Sequence, residues 1–140
     1  VDYTIRTATK ADITAVLALW RTAKSRPSVT DTEQALNVLL RRDSGALLLA
    51  ADGAEIVGTL IVGWDGWRGS FYRLAVHPMR RRKGLAVALV GAGEEKLAGM
   101  GAVRLTAIVA HDERAAVALW ESVGYERQAD TSRFVRVLTS

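Results

Sequence analysis

The chain has 140 residues, 49% of them hydrophobic, with 19 basic against 15 acidic side chains and no cysteine. This length suits one domain around one core, the composition excludes a disordered chain, and the missing thiols exclude a disulfide framework or a thiolate metal site. Four of the positive charges, Arg80 to Lys83, are consecutive, and without them the chain balances to zero (19 − 4 = 15 against 15). The excess charge is therefore one local cluster, which suits a focused anion site better than a broad nucleic-acid face.

In chain order, Tyr3 to Arg6 alternates and reads as a first strand. Thr9-Lys10-Ala11-Asp12 resembles a capping box. Ile13, Val16, Leu17 and Trp20 follow at helical spacing and give an amphipathic helix. Ser25 to Ser28 is a loop. Thr30 to Glu33 caps a second helix reaching about Arg42, with Leu36, Leu39 and Leu40 inward. Asp43-Ser44-Gly45 is a turn. Ala46 to Ala51 and Glu55 to Trp64 are apolar runs joined by Asp52-Gly53-Ala54, a hairpin signal. Asp65 to Gly69 is a second tight connection into a strand from Phe71 to Val76, so three strands form an antiparallel meander. Trp64 and Trp67 flank that turn, as packing residues or as the lining of an acceptor pocket.

A long helix starts at Leu85 and carries Ala88, Leu89, Ala92 and Leu97 on one face. Gly91 and Gly93 lie inside it, each costing up to about 1 kcal/mol relative to alanine. Gly99-Met100-Gly101 ends it. Val103 to Val109 is a strand, parallel to Phe71–Val76 under a right-handed crossover. A last helix carries Ala116, Leu119, Trp120 and Val123 on one face and stops at Gly124. Phe134 to Leu138 reads as a final strand, with a short one at Glu126 to Gln128 as a further candidate. No repeat or linker interrupts the chain. No apolar run reaches the roughly eighteen residues that span a bilayer, and the N-terminus lacks a signal-peptide layout, so a cytoplasmic protein without membrane partners is expected.

The informative stretch runs from the Phe71–Val76 strand through His77-Pro78 and the basic cluster to Gly84 and the long helix. A helix start offers unpaired N–H groups and a positive dipole end, and Gly84 lets a ligand approach its backbone. With four cations beside it, such a site suits phosphate or pyrophosphate. Arg81-Arg82-Lys83-Gly84-Leu85-Ala86 also fits Arg/Gln-x-x-Gly-x-Gly/Ala, the acyl-CoA motif of the GNAT N-acetyltransferases. Val76-His77-Pro78 upstream, Ala116 to Tyr125 downstream, and Val57-Gly58-Thr59 with Gly63 to Gly69 resemble small bacterial members of that family. The likeness spans nearly the whole chain.

The resemblance implies an α+β GNAT fold in one domain over residues 1–140. It implies a mixed, mostly antiparallel twisted sheet of six to seven strands, flanked by four helices and containing a splayed parallel strand pair. It implies an acetyl-CoA-dependent N-acetyltransferase, acting on a primary amine of a small molecule or peptide by direct attack, as a monomer or homodimer. The pyrophosphate would meet Arg81, Arg82, Lys83, Gly84, Leu85 and Ala86, and the pantetheine Leu74, Ala75 and Val76. Glu113, Ala116 and Trp120 would complete the cofactor contacts, and the Val76 N–H would polarise the thioester carbonyl.

The chain departs from the family pattern in three places, one of them Glu113, where relatives often have asparagine. Tyr72 and Arg73 stand where many relatives have a glutamate base, and Trp120 stands where they often have a tyrosine acid. Indole N–H donates a hydrogen bond but does not titrate in this role. Tyr72 is thus the candidate for proton handling, and Trp120 for stabilising the departing thiolate or for core packing. Asp65, His77, His111, Asp112 and Glu113 are further candidate bases, each with an ordinary structural reading as turn, strand end or cap. These departures leave open a non-catalytic acyl-CoA sensor of the same fold. His77 and His111 are the two histidines, and no metal-ligand pattern surrounds them. Without aromatics interleaved in a wider basic stripe, no nucleic-acid partner is expected.

Overall fold

A computed structural model describes residues 3–82 and 84–138. The chain divides into two compact units, Val1–Ile108 and Val109–Ser140.

The first unit is a five-stranded sheet in the order β1-β2-β3-β4-β5. Its strands are β1 (Thr4–Thr7), β2 (Leu47–Asp52), β3 (Glu55–Trp64), β4 (Gly69–Val76) and β5 (Leu105–Ala107). The first four pair antiparallel, β2 to β4 as the sequence predicts, and β5 runs parallel to β4, as also expected. Helices α1 (Ile13–Thr22) and α2 (Glu33–Arg42) precede β2, and α3 (Leu85–Gly99) links β4 to β5. Asp12 closes the turn before α1: its carboxylate accepts the Thr9 N–H at 2.8 Å and a two-pronged bond from Arg6 at 2.8 and 2.9 Å. The Arg6 hydrogen bond is the main cause that lowers the Asp12 pKa to about 2. Within the expected Thr30–Glu33 cap, Thr32 caps α2 by accepting the Ala35 N–H at 3.1 Å.

Helices cover both faces of the sheet, which is why β2 reads as an unbroken apolar run instead of an alternating one. On one face Ile13, Val16, Leu19 and Trp20 of α1 and Leu36 of α2 pack with Leu47, Leu49 and Ala75. On the other face α3 lies so close that a Cβ on Gly93 would sit 2.6 Å from the Phe71 ring, 3.1 Å from Leu60 and 3.2 Å from Val62. Glycine at 93 is therefore a packing requirement that overrides its poor helix propensity. Near its C-terminal end α3 is held by the Lys96 ammonium, which donates to the Gly45 carbonyl and lies 3.6 Å from Asp43.

In the second unit α4 (Arg114–Ser122) carries a buried Trp120, whose ring meets Tyr125 edge-on at 4.9 Å and 74°. Gly124 follows with φ 97° and ends the helix, as the sequence predicts. Glu113, not Asp112, is the N-cap residue. The expected final strand at Phe134–Leu138 and the short one at Glu126–Gln128 are not strands, so the sheet has five strands among the described residues and not six to seven. Phe134 and Leu138 are 94% and 86% exposed. Strand propensity acts only where a ladder partner takes the backbone groups, and these residues join no ladder. The strand expected over Val103–Val109 shrinks to Leu105–Ala107 for the same reason: only three residues pair with β4. No helix among the described residues is long and apolar enough to cross a membrane.

Candidate functional site

β4 changes phase part-way along. Its ladder with β3 pairs Ile61 with Tyr72 but Thr59 with Ala75, so β4 carries one extra residue opposite Leu60. This is a β-bulge, which interrupts the ladder and resets the alternation of the strand. Arg73, at the bulge, has φ 55°, a left-handed conformation that costs a non-glycine residue roughly 1–2 kcal/mol. The reset shows in the packing. Phe71 faces α3, whereas Ala75, four residues on, belongs to the α1–α2 cluster on the opposite face.

The same reset decides which backbone groups face outward. The His77 N–H donates to the Val57 carbonyl at 2.8 Å, so His77 and, by alternation, Ala75 turn their amides to β3. Val76 between them turns its N–H away from β3. On that side β5 pairs only with Gly69, Ser70 and Phe71, so the strand pair parts beyond Phe71. The expectation that Leu74, Ala75 and Val76 all offer backbone groups is thus narrowed: Ala75 commits its amide to β3, and Val76 presents its own at the parted edge.

The start of α3 lies next to this edge, because the Arg81 Nε–H donates to the Val76 carbonyl at 3.3 Å. Gly84 is the N-cap residue with φ 76°, and nothing lies within 4 Å of where its Cβ would be. The first backbone bond back into the helix runs from the Ala88 N–H to Gly84, leaving the N–H groups of Leu85, Ala86 and Val87 without intrahelical acceptors. As a glycine, the N-cap residue has no side chain with which to cap them. Open space, a positive dipole end and unbonded donors make this an anion cradle.

The basic cluster is less uniform than its sequence suggests. Arg80 pairs with Asp52 at 2.7 Å and reaches Glu55 at 3.6 Å across the β2–β3 hairpin. The Asp52 hydrogen bond is the main cause that raises the Arg80 pKa. Arg81 donates to the carbonyls of Val76 and Ala23, tying the loop to the end of α1. Arg82 is exposed with φ 64°, and Lys83 lies outside the described residues. The local charge excess read from the sequence is therefore smaller in space, since the hairpin carboxylates offset Arg80.

The GNAT acetyltransferase family model matches residues 13–125, a span that includes the bulged strand, the cradle and α4. An acetyltransferase of Pectobacterium atrosepticum is 35% identical over 122 residues, covering 87% of this chain and 86% of that protein. The chain belongs to the GNAT family. Among solved structures, Ard1 from Thermoplasma volcanium superposes with a TM-score of 0.83 at 20% identity, covering 92% of this chain and 86% of that one. The PaiA N-acetyltransferase of Thermoplasma acidophilum, solved with coenzyme A, gives 0.80 at 15% identity, with 94% of each chain covered.

Within this GNAT chain the candidate proton-handling groups divide between the two units. Asp65 accepts the Trp67 and Arg68 N–H groups at 2.8 and 2.7 Å, and those bonds lower its pKa. It is a turn residue and, held ionised, a weak base. His77 Nδ1 accepts the Met79 N–H at 3.1 Å and caps the 3₁₀ turn after β4. Tyr72 is 41% exposed and stands on the α1–α2 face, its ring 3.5 Å from the position of a Gly63 Cβ. His111, Asp112 and Glu113, like Ala116 and Trp120, belong to the second unit. Trp64 and Trp67 line an open cleft of about 460 Å³ with Arg68, Met100, Gly101, Val103 and Arg104. That cleft adjoins the start of β4 and the end of α3, the opposite end of the strand from Val76.

Four residues that sequence reasoning did not connect converge on Arg73. Its guanidinium donates to Asp31 at 2.6, 2.7 and 3.1 Å and to the Arg26 carbonyl at 2.7 Å. Its carbonyl accepts the Thr59 hydroxyl at 2.9 Å, and that hydroxyl oxygen accepts the Trp20 indole N–H at 2.9 Å. Thr59 is fully buried. A polar side chain inside an apolar run needs a buried partner, and that was the available signal.

Proposed function

We propose that this GNAT protein is an acetyl-CoA-dependent N-acetyltransferase, with residues 1–140 serving as one catalytic domain. The observation that supports this most is the adjacency of two features: an outward Val76 N–H at the parted edge of β4, and the uncapped donors of Leu85, Ala86 and Val87 beyond Gly84. The first suits the acyl and pantetheine end of the co-substrate, the second its pyrophosphate. Arg82 and Lys83 add charge there, while Arg81 braces the loop.

The chain's own work in the reaction is chiefly positioning and electrostatics. The Val76 N–H stabilises the negative charge that develops on the acyl oxygen, and one preorganised donor of this kind contributes roughly 3–4 kcal/mol to lowering the barrier. The amine attacks, a C–N bond forms and the C–S bond breaks, with the electron pair leaving on sulfur and the surplus nitrogen proton passing through water to the thiolate. An ordinary lysine-type amine has a pKa of about 10.4 and must first lose a proton. Tyr72, exposed beside Gly63, takes or relays that proton through water. The thiolate is a tolerable leaving group, given a thiol pKa of about 8.5. Glu113, Ala116 and Trp120 retain the cofactor contacts that the family resemblance gives them, Trp120 as a hydrogen-bond donor.

The testing experiment is a thiol-release assay with acetyl-CoA against amines, peptides and aminoglycosides, with each acetylated product identified by mass. Release of CoA with a +acetyl product supports the reading. Tight acetyl-CoA binding without any product across the panel supports the acyl-CoA sensor instead.

A further inference from the structure

Arg73 adopts its left-handed conformation without being glycine, so something must hold it there. Two sets of contacts do so from opposite sides. From inside the sheet, the buried Thr59 hydroxyl binds the Arg73 carbonyl and is itself fixed by the Trp20 indole. From the α1–α2 loop, Asp31 grips the guanidinium with three short contacts and the Arg26 carbonyl takes a fourth. The guanidinium also lies 5.2 Å from the centre of the Trp20 ring. Both partners of the ion pair are largely shielded, with side-chain exposures of 18% and 20%. A planar two-pronged pair of this kind fixes orientation as well as charge.

The bulge has a consequence at a distance of three residues. Were the same chain to run as a regular strand through Arg73 and Leu74, the alternation of β4 would turn the Val76 amide toward β3 and the Ala75 amide outward. We propose that Thr59, Arg73 and Asp31 are positioning residues: they lock the β4 bulge and thereby aim the Val76 N–H at the acyl carbonyl. This rests on the acetyl-CoA reading above. It also couples the loop before α2 to the donor, since Asp31 and Arg26 belong to that loop and Arg73 to the strand.

The test uses the intact protein with CoA and with acetyl-CoA labelled with ¹³C at its carbonyl. Calorimetry gives both affinities, and infrared difference spectra give the bound carbonyl stretch. In the unaltered protein the band moves to lower wavenumber. In Asp31→Asn and Thr59→Val, CoA affinity stays near the unaltered value while that band shift shrinks. The preference for acetyl-CoA over CoA falls about tenfold, the size of one lost hydrogen bond to a polarised group.

Thr59→Ser separates positioning from packing. Serine keeps the hydroxyl but leaves a methyl-sized void, whereas valine fills the space without the hydroxyl. A positioning role makes the serine variant the better of the two in band shift; a packing role makes valine the better, and that result overturns the proposal. Asp31→Asn keeps the size and shape of the side chain and keeps the test available should Thr59→Val not fold. An undiminished band shift in Asp31→Asn and Thr59→Val overturns the positioning role while leaving the acetyltransferase reading intact. Failure of the unaltered protein to bind CoA overturns both.

Discussion

Gly93 and Gly91 sit two residues apart on α3 and should respond to alanine with opposite signs. Alanine in a helix interior is favoured over glycine by up to about 1 kcal/mol. At Gly91 nothing lies within 4 Å of a new Cβ, so that gain is realised. At Gly93 the new Cβ would lie 2.6 Å from Phe71 Cε1, with Leu60 and Val62 at 3.1 and 3.2 Å. Carbon atoms pack at about 3.5–4.0 Å, so the ring must move by about 1 Å. Phe71, Leu60 and Val62 are fully buried, at 1%, 0% and 0% exposure, so they cannot move aside into solvent. Overpacking of this kind costs about 1–3 kcal/mol, which exceeds the helix gain. Gly93→Ala should therefore lose about 1–2 kcal/mol while Gly91→Ala gains up to about 1 kcal/mol.

Urea unfolding followed by tryptophan fluorescence measures both, provided the m-values agree. A Phe71→Leu background supplies the control, because a smaller side chain makes room. There the penalty of Gly93→Ala should shrink by about 1 kcal/mol, a coupling typical of residues in contact. Equal stability of the two alanine variants would falsify the close approach of α3 to β3 and β4.

Other outcomes follow from the site and the first turn. Acetyl-CoA at a hundredfold excess over its dissociation constant should add about 2.7 kcal/mol of stability. Gly84→Asp should abolish that thermal shift, since it places a β-carbon at φ 76° and a negative charge in the anion cradle; a retained shift contradicts the cradle's location. Tyr72→Phe should depress turnover, and a rate unchanged across pH clears Tyr72 of proton handling. Asp12 has a folded pKa of about 2, below its unfolded value of about 3.9, so its stabilising effect is complete above about pH 4 and is lost as pH falls toward 2. The stability gap between the natural chain and Asp12→Asn should accordingly close over that interval in acid unfolding, and a constant gap refutes the Arg6–Asp12 account.

Local signals carried the sequence reading where local physics decides. The Thr9–Asp12 box, the Asp52-Gly53-Ala54 hairpin, the glycine-opened α3 and the Gly124 stop depend on neighbours in sequence, and each was legible. Long-range contacts decided the rest. Gly93 looked like a weakness because the Phe71 ring that needs its emptiness is twenty-two residues away (93 − 71 = 22). Arg80 looked like part of an anion site because its partners Asp52 and Glu55 lie on another hairpin. The bulge at Arg73 was invisible for a related reason: no glycine or asparagine marks it, and the residues that sustain it, Thr59, Trp20 and Asp31, come from three other segments. Phe134 to Leu138 shows the converse, a good strand composition without a ladder to enter.

The extra residue in β4 gives one strand two reading frames. Before it, odd-numbered side chains such as Phe71 belong to the α3 layer; after it, odd-numbered Ala75 belongs to the α1 layer. Straightening the bulge at constant length would leave the composition of the strand untouched yet exchange the layers served by everything downstream of it, whereas deleting one of the two residues opposite Leu60 would leave Ala75 opposite Thr59 and every layer as it is. The boundary between scaffold and chemistry is therefore set by a conformation held at one residue, Arg73, and not by the composition of the strand around it.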